Sequence, residues 1–218
     1  NSEVVFAIGY MSDDSKDSQN FSAEWLKAVG RTAGVNYVTD EAKAILDEKG
    51  GNRTACSYRQ DALQPQQNQV VKYLPNGDTD LGIGSVSSDP TLAGNDWIVL
   101  RYADVLLMHV EAIMNEGNGV STTDPAALAS FQAVRDRAGL MDAVSSVTKE
   151  DLLDERRVEL AFENHRFFDL LRFGVASDVL SEFASDNGYS FSGTDLLLPI
   201  PQREIGLSNG LLSQNPGY

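Results

Sequence analysis

The stretch ERRVELAFENHRFFDLLRFG, residues 155–174, is the densest in the chain. Four acids (Glu155, Glu159, Glu163, Asp169), four arginines (Arg156, Arg157, Arg166, Arg172), a histidine and four phenylalanines crowd into a few turns. The charges cancel. A cleft tuned to a charged substrate would carry an excess of one sign, whereas cancellation fits internal pairing. Arg156 and Glu159 are i,i+3 neighbours, and Glu159 and Glu163 share a helix face at i,i+4. Guanidinium groups lying along Phe162, Phe167, Phe168 and Phe173 would bury their stems and keep their heads paired.

The same stretch tests two chemistries. A helical zinc or di-iron site needs H-E-x-x-H or paired E-x-x-H spacing. Glu163 and His165 are two apart, so they point in different directions on a helix, and His109 is the only other histidine. A structural ion-pair network is the reading here and no metal is expected. Glu159 and Glu163 could be imagined as glycosidase carboxylates, but arginines nearby depress both pKa values where a general acid needs a raised one. No Gly-x-Ser-x-Gly elbow, Walker A loop or dinucleotide fingerprint occurs. The chain reads as a non-enzyme with no cofactor.

Working outward, the chain has two textures. Residues 1–94 are loop-rich and residues 95–218 are helical. WIVLRYADVLLMHVEAIMNEG (97–117) is apolar on most faces and predicts a central helix, with Asn95 or Asp96 as cap and Gly117 or Gly119 as stop. Asp124 caps a second helix with Pro125 in its first turn. Leu128, Phe131, Val134 and Ala138 form its stripe and Gly139 ends it. The two make a helical hairpin, the unit of helical repeats. A third helix starts at Thr148, which with Asp151 three residues on resembles a capping box, although Glu or Gln is the usual partner. HRFFDLLRFG continues it or forms a second short helix to Gly174, and Asp178–Ala184 adds a turn. LLLPIPQREIG (196–206) predicts a buried extended segment followed by one helical turn. In the first half, VVFAI (4–8) predicts a buried strand. Val38–Lys49 predicts a helix capped by Thr39 and ended by Gly50 and Gly51, and PNGD (75–78) a hairpin turn.

The chain carries 17 Lys+Arg against 32 Asp+Glu, a net charge of −15. This opposes attraction to nucleic acid or anionic headgroups and suits neutral or cationic partners. Cys56 is the only cysteine, which excludes an internal disulfide and a Cys-based zinc site. The most apolar run, Trp97–Met114, holds Arg101, Asp104, His109 and Glu111, too many ionisable groups for lipid. A chain seldom begins at a core strand, so the sequence reads as the later part of a longer polypeptide.

Two features of the first half bear on ligands. Asp13, Ser15, Asp17, Gln19 and Glu24 fall at EF-hand offsets, but Ser18 stands where that loop turns on glycine, so a solvated acidic loop is the default reading. Tyr10, Trp25, Tyr37 and Tyr58 lie near polar residues such as Asn20, Asn36, Arg53 and Asp61. Sugar rings stack their C–H faces on Trp and Tyr and give their hydroxyls to Asn, Asp and Arg. The other reading is that Trp25 anchors the loops as core.

LRYADVLLMHVEA, FQAVRDRAGL, LLDERRVELAFENHRFFDLLRFG, LLPIPQREI and the terminal QNPGY, in this order, resemble the C-terminal signature of the SusD/RagB family. EVVFAIGY resembles the strand opening that family's middle region. The resemblance implies a mainly α fold, with tetratricopeptide-like helix pairs packed against a loop-rich lobe and a few short strands. It implies a non-catalytic lipoprotein on the outer membrane, exposed at the cell surface. Such a protein binds oligosaccharides, or in some members peptides, and passes them to a SusC-like TonB-dependent transporter. Family members are longer, so the lipid anchor and the first helical repeats would belong to an N-terminal part of the same polypeptide missing from this chain. Residues 1–94 would be the ligand-binding lobe and 95–218 the helical C-terminal region. No motif carries a binding residue over. Trp25, Tyr37, Tyr10, Asn36 and Tyr58 are chosen on chemistry and region. A docking scaffold for the transporter is the alternative function, and a glycoside hydrolase stands last.

Overall fold

A computed structural model of the 218-residue chain describes residues 2–25, 36–61, 65–74, 89 and 91–218. Two compact units form, Asn1–Asn164 and His165–Tyr218. Among the described residues there are eight α-helices and seven short strands, a mainly α architecture. The proposed turn at 75–78 lies outside the described residues. No helix is long and apolar enough to cross a membrane among the described residues.

The first unit opens with β1 (Val4–Ile8) and a 3-10 turn at Phe21–Trp25. β2 (Tyr37–Val38) leads into α1 (Asp40–Lys49). The Thr39 side chain accepts the Ala42 N–H, and Gly50 ends the helix, as its sequence predicts. α2 (Arg53–Ser57) runs into β3 (Tyr58–Gln60), and β4 (Asn68–Val70) follows. These strands form an antiparallel sheet in the order β2-β4-β3.

The run 97–117 is not one helix. Its first five residues are β5 (Trp97–Arg101), and α3 covers Tyr102–Glu116. Trp-Ile-Val-Leu is aromatic and β-branched, and β1 offers it an antiparallel partner; pairing outweighs the helical period. Asn95 and Asp96 therefore cap nothing. Asp96 accepts the Tyr10 N–H at 3.0 Å, and Asn95 donates to the Leu74 carbonyl at 3.3 Å. β1 forms where expected but is not buried, with Val5 and Phe6 56% and 57% exposed. It is half of a two-stranded ribbon, and register shifts between Val4 and Phe6 and between Phe6 and Ala7 break the regular alternation.

β6 (Ser121–Thr122) precedes α4 (Pro125–Arg137), and β7 (Val147–Thr148) precedes α5 (Lys149–Glu159). Asp124 accepts from the N–H groups of Ala126 and Ala127, and the Thr148–Asp151 capping box is complete. α3 and α4 make the expected hairpin. Leu107, Val110 and Met114 are buried on one side and Ala127, Phe131 and Val134 on the other. Each large side chain so buried stabilises by roughly 1.5–3 kcal/mol. His109 Nδ1 meets Ser130 Oγ at 2.9 Å across the pair.

The change of texture after residue 94 is not where the compact units divide. β1 pairs with β5, and the α1–α2 joint docks on the end of α4. There the Asn52 N–H donates to the Ala138 carbonyl at 2.8 Å. Gly51 has φ +57°, and a Cβ on it would meet the Ala138 oxygen at 2.4 Å. Only glycine suits both demands.

The second unit holds α6 (Arg166–Arg172), α7 (Ala176–Asn187), a 3-10 turn at Gly193–Leu196 and α8 (Gln202–Leu207). Gly174 and Gly188, at φ +73° and +70°, end α6 and α7. α7 is longer than the single turn expected at Asp178–Ala184. The segment after Leu196 is extended as predicted but not buried, with Leu197 and Leu198 46% and 60% exposed. Side chains of the C-terminal tail satisfy its backbone instead of a packed layer. Gln214 Nε2 donates to the Ile200 carbonyl and its Oε1 accepts the Ile200 N–H, both at 2.8 Å. Asn215 Nδ2 donates to the Leu198 carbonyl at 2.7 Å.

Candidate ligand-binding region

The short sheet sorts the candidate aromatics. Tyr58 pairs with Val70 and Val38 with Asn68, while Tyr37 pairs with Gln69. Because side chains alternate along a strand, Tyr58, Val38 and Val70 share one face and Tyr37, Gln69 and Arg59 the other. On the first face Val38, Val70 and Tyr73 form a buried cluster against which Phe21, Trp25, Tyr58, Trp97 and Phe162 pack. Arg59 Nε donates to Gln69 Oε1 at 3.1 Å on the second face.

Trp25 stacks on Tyr73 with ring centroids 6.1 Å apart and meets Phe162 edge-on at 6.1 Å. Tyr73 stacks in turn on Trp97 at 5.7 Å. Tyr10 joins through an edge contact with Phe21 at 6.2 Å. Trp25 is thus half-buried, one face on the core. Tyr58 donates its hydroxyl to Asp47, and Lys43 Nζ lies 5.7 Å from its ring centre. The structure therefore brings Tyr10, Trp25 and Tyr58 to one aromatic cluster. Tyr37 stands on the opposite face of the sheet, and Asn36, exposed, precedes it. Tyr73, Phe21 and Trp97 were not singled out from sequence. Tyr73 lies in an apolar run broken only by Lys72 (VVKYL, 70–74), and the helical reading of 97–117 hid Trp97.

Arg53, named beside these rings, is engaged by other elements. Arg53 Nε and Nη2 donate to the carbonyls of Gly50 and Lys49 at 2.8 and 3.1 Å, and Nη1 pairs with Glu155 and Glu159 at 2.6 and 2.8 Å. Asp61 is 3% exposed. In the acidic loop, Asp14 Oδ1 accepts the N–H groups of Lys16 and Asp17 at 2.8 and 3.0 Å. Gln19, one of the EF-hand offsets, is buried, and its Nε2 donates to Ser22 Oγ at 2.9 Å. Among the described residues no group of three or more His, Cys, Asp or Glu side chains is placed to hold a metal ion.

The charged stretch is a network, but its partners come from elsewhere. Arg101 Nε and Nη2 reach Glu163 at 2.7 and 2.9 Å, its Nη1 reaches Glu159, and Nη2 also donates to the Glu159 carbonyl at 2.6 Å. Arg137 pairs with Glu159, and Lys72 Nζ with Glu163 at 2.5 Å. Arg156 leaves the stretch for Asp104 at 2.8 Å, and Arg157 for Glu41 at 2.7 Å. The expected Arg156–Glu159 pairing along the helix gives way to pairings between elements. Arg172 stays local, 2.8 Å from Asp169 and 5.5 Å from the Phe173 ring centre.

α5 stops at Glu159, and Phe162 and Asn164 turn the chain at φ +66° and +70°. That turn delivers the Ala161 and Phe162 carbonyls to Lys72 Nζ and the Tyr73 hydroxyl. Burial alone would raise the Glu159 carboxyl, but Arg101, Arg53 and Arg137 outweigh it and hold it below the usual carboxylate range. Burial likewise opposes, and Lys72 and Arg101 overcome, in the case of Glu163. Neither is a general acid at neutral pH. A pocket of about 430 Å³ opens beside this network, lined in part by Arg53, Lys72, Arg101, Arg137 and Cys56.

Comparison with known proteins closes the identification. The chain is similar to SusD-like protein P2 of Formosa agariphila, 30% identical over 58% of this chain and 28% of that protein. It is similar to the starch-binding protein SusD of Bacteroides thetaiotaomicron, 32% identical over 62% of this chain and 24% of that one. Among solved structures, a laminarin binding SusD-like protein superposes with a TM-score of 0.71 at 25% identity, covering 100% of this chain and 50% of its own. Surface glycan-binding protein A from Bacteroides thetaiotaomicron shares the fold, with a TM-score of 0.73 at 23% identity over 98% of this chain and 52% of its own. The chain thus spans about half the length of these solved relatives. A profile of the SusD family matches residues 24–218, and with the hairpin, the ion-pair network and the C-terminal segment in place the chain belongs to the SusD family.

Proposed function

We propose that the protein binds oligosaccharides at the bacterial cell surface without cleaving them and delivers them to a SusC-like TonB-dependent transporter. In this reading it is anchored in the outer membrane by a lipid on an N-terminal part of the polypeptide that this chain does not include. The observation that carries the reading is membership of the SusD family, in which similar proteins are named for starch and laminarin. A protein of the same fold has been solved with laminarihexaose. The depressed carboxyls of Glu159 and Glu163 support a non-catalytic role, and the net charge of −15 suits neutral ligands.

Ligand contacts are assigned to the loop-rich residues. Trp25, half-buried against Tyr73 and Phe162, is the first candidate for stacking on a sugar ring, with Tyr10 and Tyr58 on the same cluster. Asn36 and Tyr37 form a second candidate surface across the sheet. Calorimetry with laminarihexaose, starch oligosaccharides and xylogluco-oligosaccharides tests both. Loss of binding in Trp25→Ala with Tyr37→Ala unaffected assigns the first surface, and the reverse assigns the second. Normal binding in both variants places the site elsewhere. A docking scaffold for the transporter is compatible on another face. Capture of the transporter by a protein that binds no sugar would make docking the primary function.

A further inference from the structure

Four Asn-Gly pairs occur in the chain, at 76–77, 118–119, 187–188 and 209–210. The first lies outside the described residues. Asparagine before glycine is a reactive pair, because glycine has no Cβ to shield its backbone nitrogen from the asparagine side chain. Asn118, Asn187 and Asn209 are all exposed, so exposure does not rank them. Their hydrogen bonds do. Asn118 Oδ1 accepts the N–H groups of Val120 and Ser121 at 2.8 and 2.9 Å, and the Gly119 N–H donates to the Met114 carbonyl at 3.0 Å. Asn187 Nδ2 donates to the Phe183 carbonyl at 2.8 Å, and the Gly188 N–H caps α7 on the carbonyls of Ala184 and Ser185. At the third pair neither group is held. The Asn209 side chain and the Gly210 N–H have no hydrogen-bond partner among the described residues. Both residues have left-handed backbone, φ +52° and +84°, and a Cβ on Gly210 would meet nothing within 4 Å.

We propose that Asn209 is a modification site, at which the side chain closes on the Gly210 nitrogen and asparagine becomes aspartate or its β-linked isomer. The Gly210 nitrogen attacks Asn209 Cγ and gives up its proton through water. The N–Cγ bond forms, the Cγ–Nδ2 bond breaks, and Nδ2 leaves with that proton as ammonia. Water then opens the five-membered imide. Cleavage of N–Cγ yields aspartate. Cleavage of the bond to the Asn209 main-chain carbonyl carbon yields the β-linked isomer, whose backbone is one atom longer. Water is the only co-reactant, and nothing is oxidised or reduced. At Asn118 and Asn187 the same step must first free the groups that hydrogen bonds hold, and each such bond slows it by about two- to tenfold. The turn at 209–210 follows α8 and leads into the tail, where Ser208 Oγ accepts the Leu212 N–H at 3.0 Å and Gln214 clasps Ile200. Both products add a negative charge just beyond the C-terminal end of α8, and the β-linked one lengthens the path to the clasp.

The test is timed incubation of the full polypeptide in mildly alkaline buffer, once folded and once unfolded in urea. Aliquots are digested and mapped by mass spectrometry, with the aspartate and β-linked products separated by chromatography. In the folded protein the Asn209 peptide is expected to convert about tenfold faster than the Asn118 and Asn187 peptides, and to give both products. In urea the three rates should converge, because the hydrogen bonds that protect Asn118 and Asn187 are gone. Conversion of Asn118 or Asn187 as fast as Asn209 in the folded protein would overturn the proposal. So would the absence of product at Asn209, or the same rank order with the same spread in urea, which would make local sequence and not the fold the cause.

Discussion

Arg101 is the residue on which the first unit turns. It joins the end of β5 to Glu159 and Glu163 on either side of the α5 stop, and its side chain is 8% exposed. Removing one partner of a buried pair leaves the other charged and unmatched, at a cost of about 3–5 kcal/mol. Glu159 keeps Arg53 and Arg137, and Glu163 keeps Lys72, so Arg101→Met is expected to destabilise by about 3 kcal/mol in urea unfolding. Arg157→Ala is the control. Its partner Glu41 is 56% exposed, and the loss should stay under about 1 kcal/mol. The same network sets an acid limit. Glu159 and Glu163 have folded pKa values below their unfolded values, so their contribution is complete above roughly pH 5 and falls away as the pH drops through the depressed folded values. The urea midpoint should hold from neutral pH to about pH 5 and then decline. Glu163→Gln should start lower at neutral pH and decline less steeply. An identical slope in wild type and variant would remove Glu163 from the account.

Elements show how much the sequence discloses. The caps at Thr39, Asp124 and Thr148, and the stops at Gly139 and Gly174, were legible because each is a local hydrogen-bond or backbone demand. β5 was not legible, because what makes Trp97–Arg101 a strand is a partner at the far end of the first unit's sequence, Val4–Ile8. Burial of β1 and of the segment after Leu196 was overstated for a related reason. Apolar composition says that a segment can be covered, and only the fold says by what. In the ligand region the residue types were legible but not their faces, since the split between Tyr58 and Tyr37 follows from a register involving β4, a strand not foreseen. The ion-pair partners of Arg53, 102 and 106 residues away, cannot be read from spacing. The joint between α1 and α2 gives a test at this scale. Gly51→Ala meets both a left-handed φ and the Ala138 carbonyl, whereas Gly188→Ala meets a left-handed φ with nothing within 4 Å. The second should cost about 1–2 kcal/mol and the first clearly more, measured by thermal unfolding of each variant. Equal losses would mean that the close approach at Ala138 is not a constraint.

At the scale of the whole molecule, the chain combines a strongly acidic surface, buried cations spent on holding helices together, and half-buried rings in its loop-rich part. That distribution suits neutral ligands recognised by stacking and hydrogen bonds, whose affinity is nearly independent of salt. Isothermal titration calorimetry of the full polypeptide with the oligosaccharide panel, at low and high ionic strength, tests this most directly, with the products checked for new reducing ends. The account predicts saturable binding of at least one neutral oligosaccharide, changed less than about twofold by salt, with the sugar recovered intact. Binding of none of the panel, or release of new reducing ends by the purified protein, would contradict it.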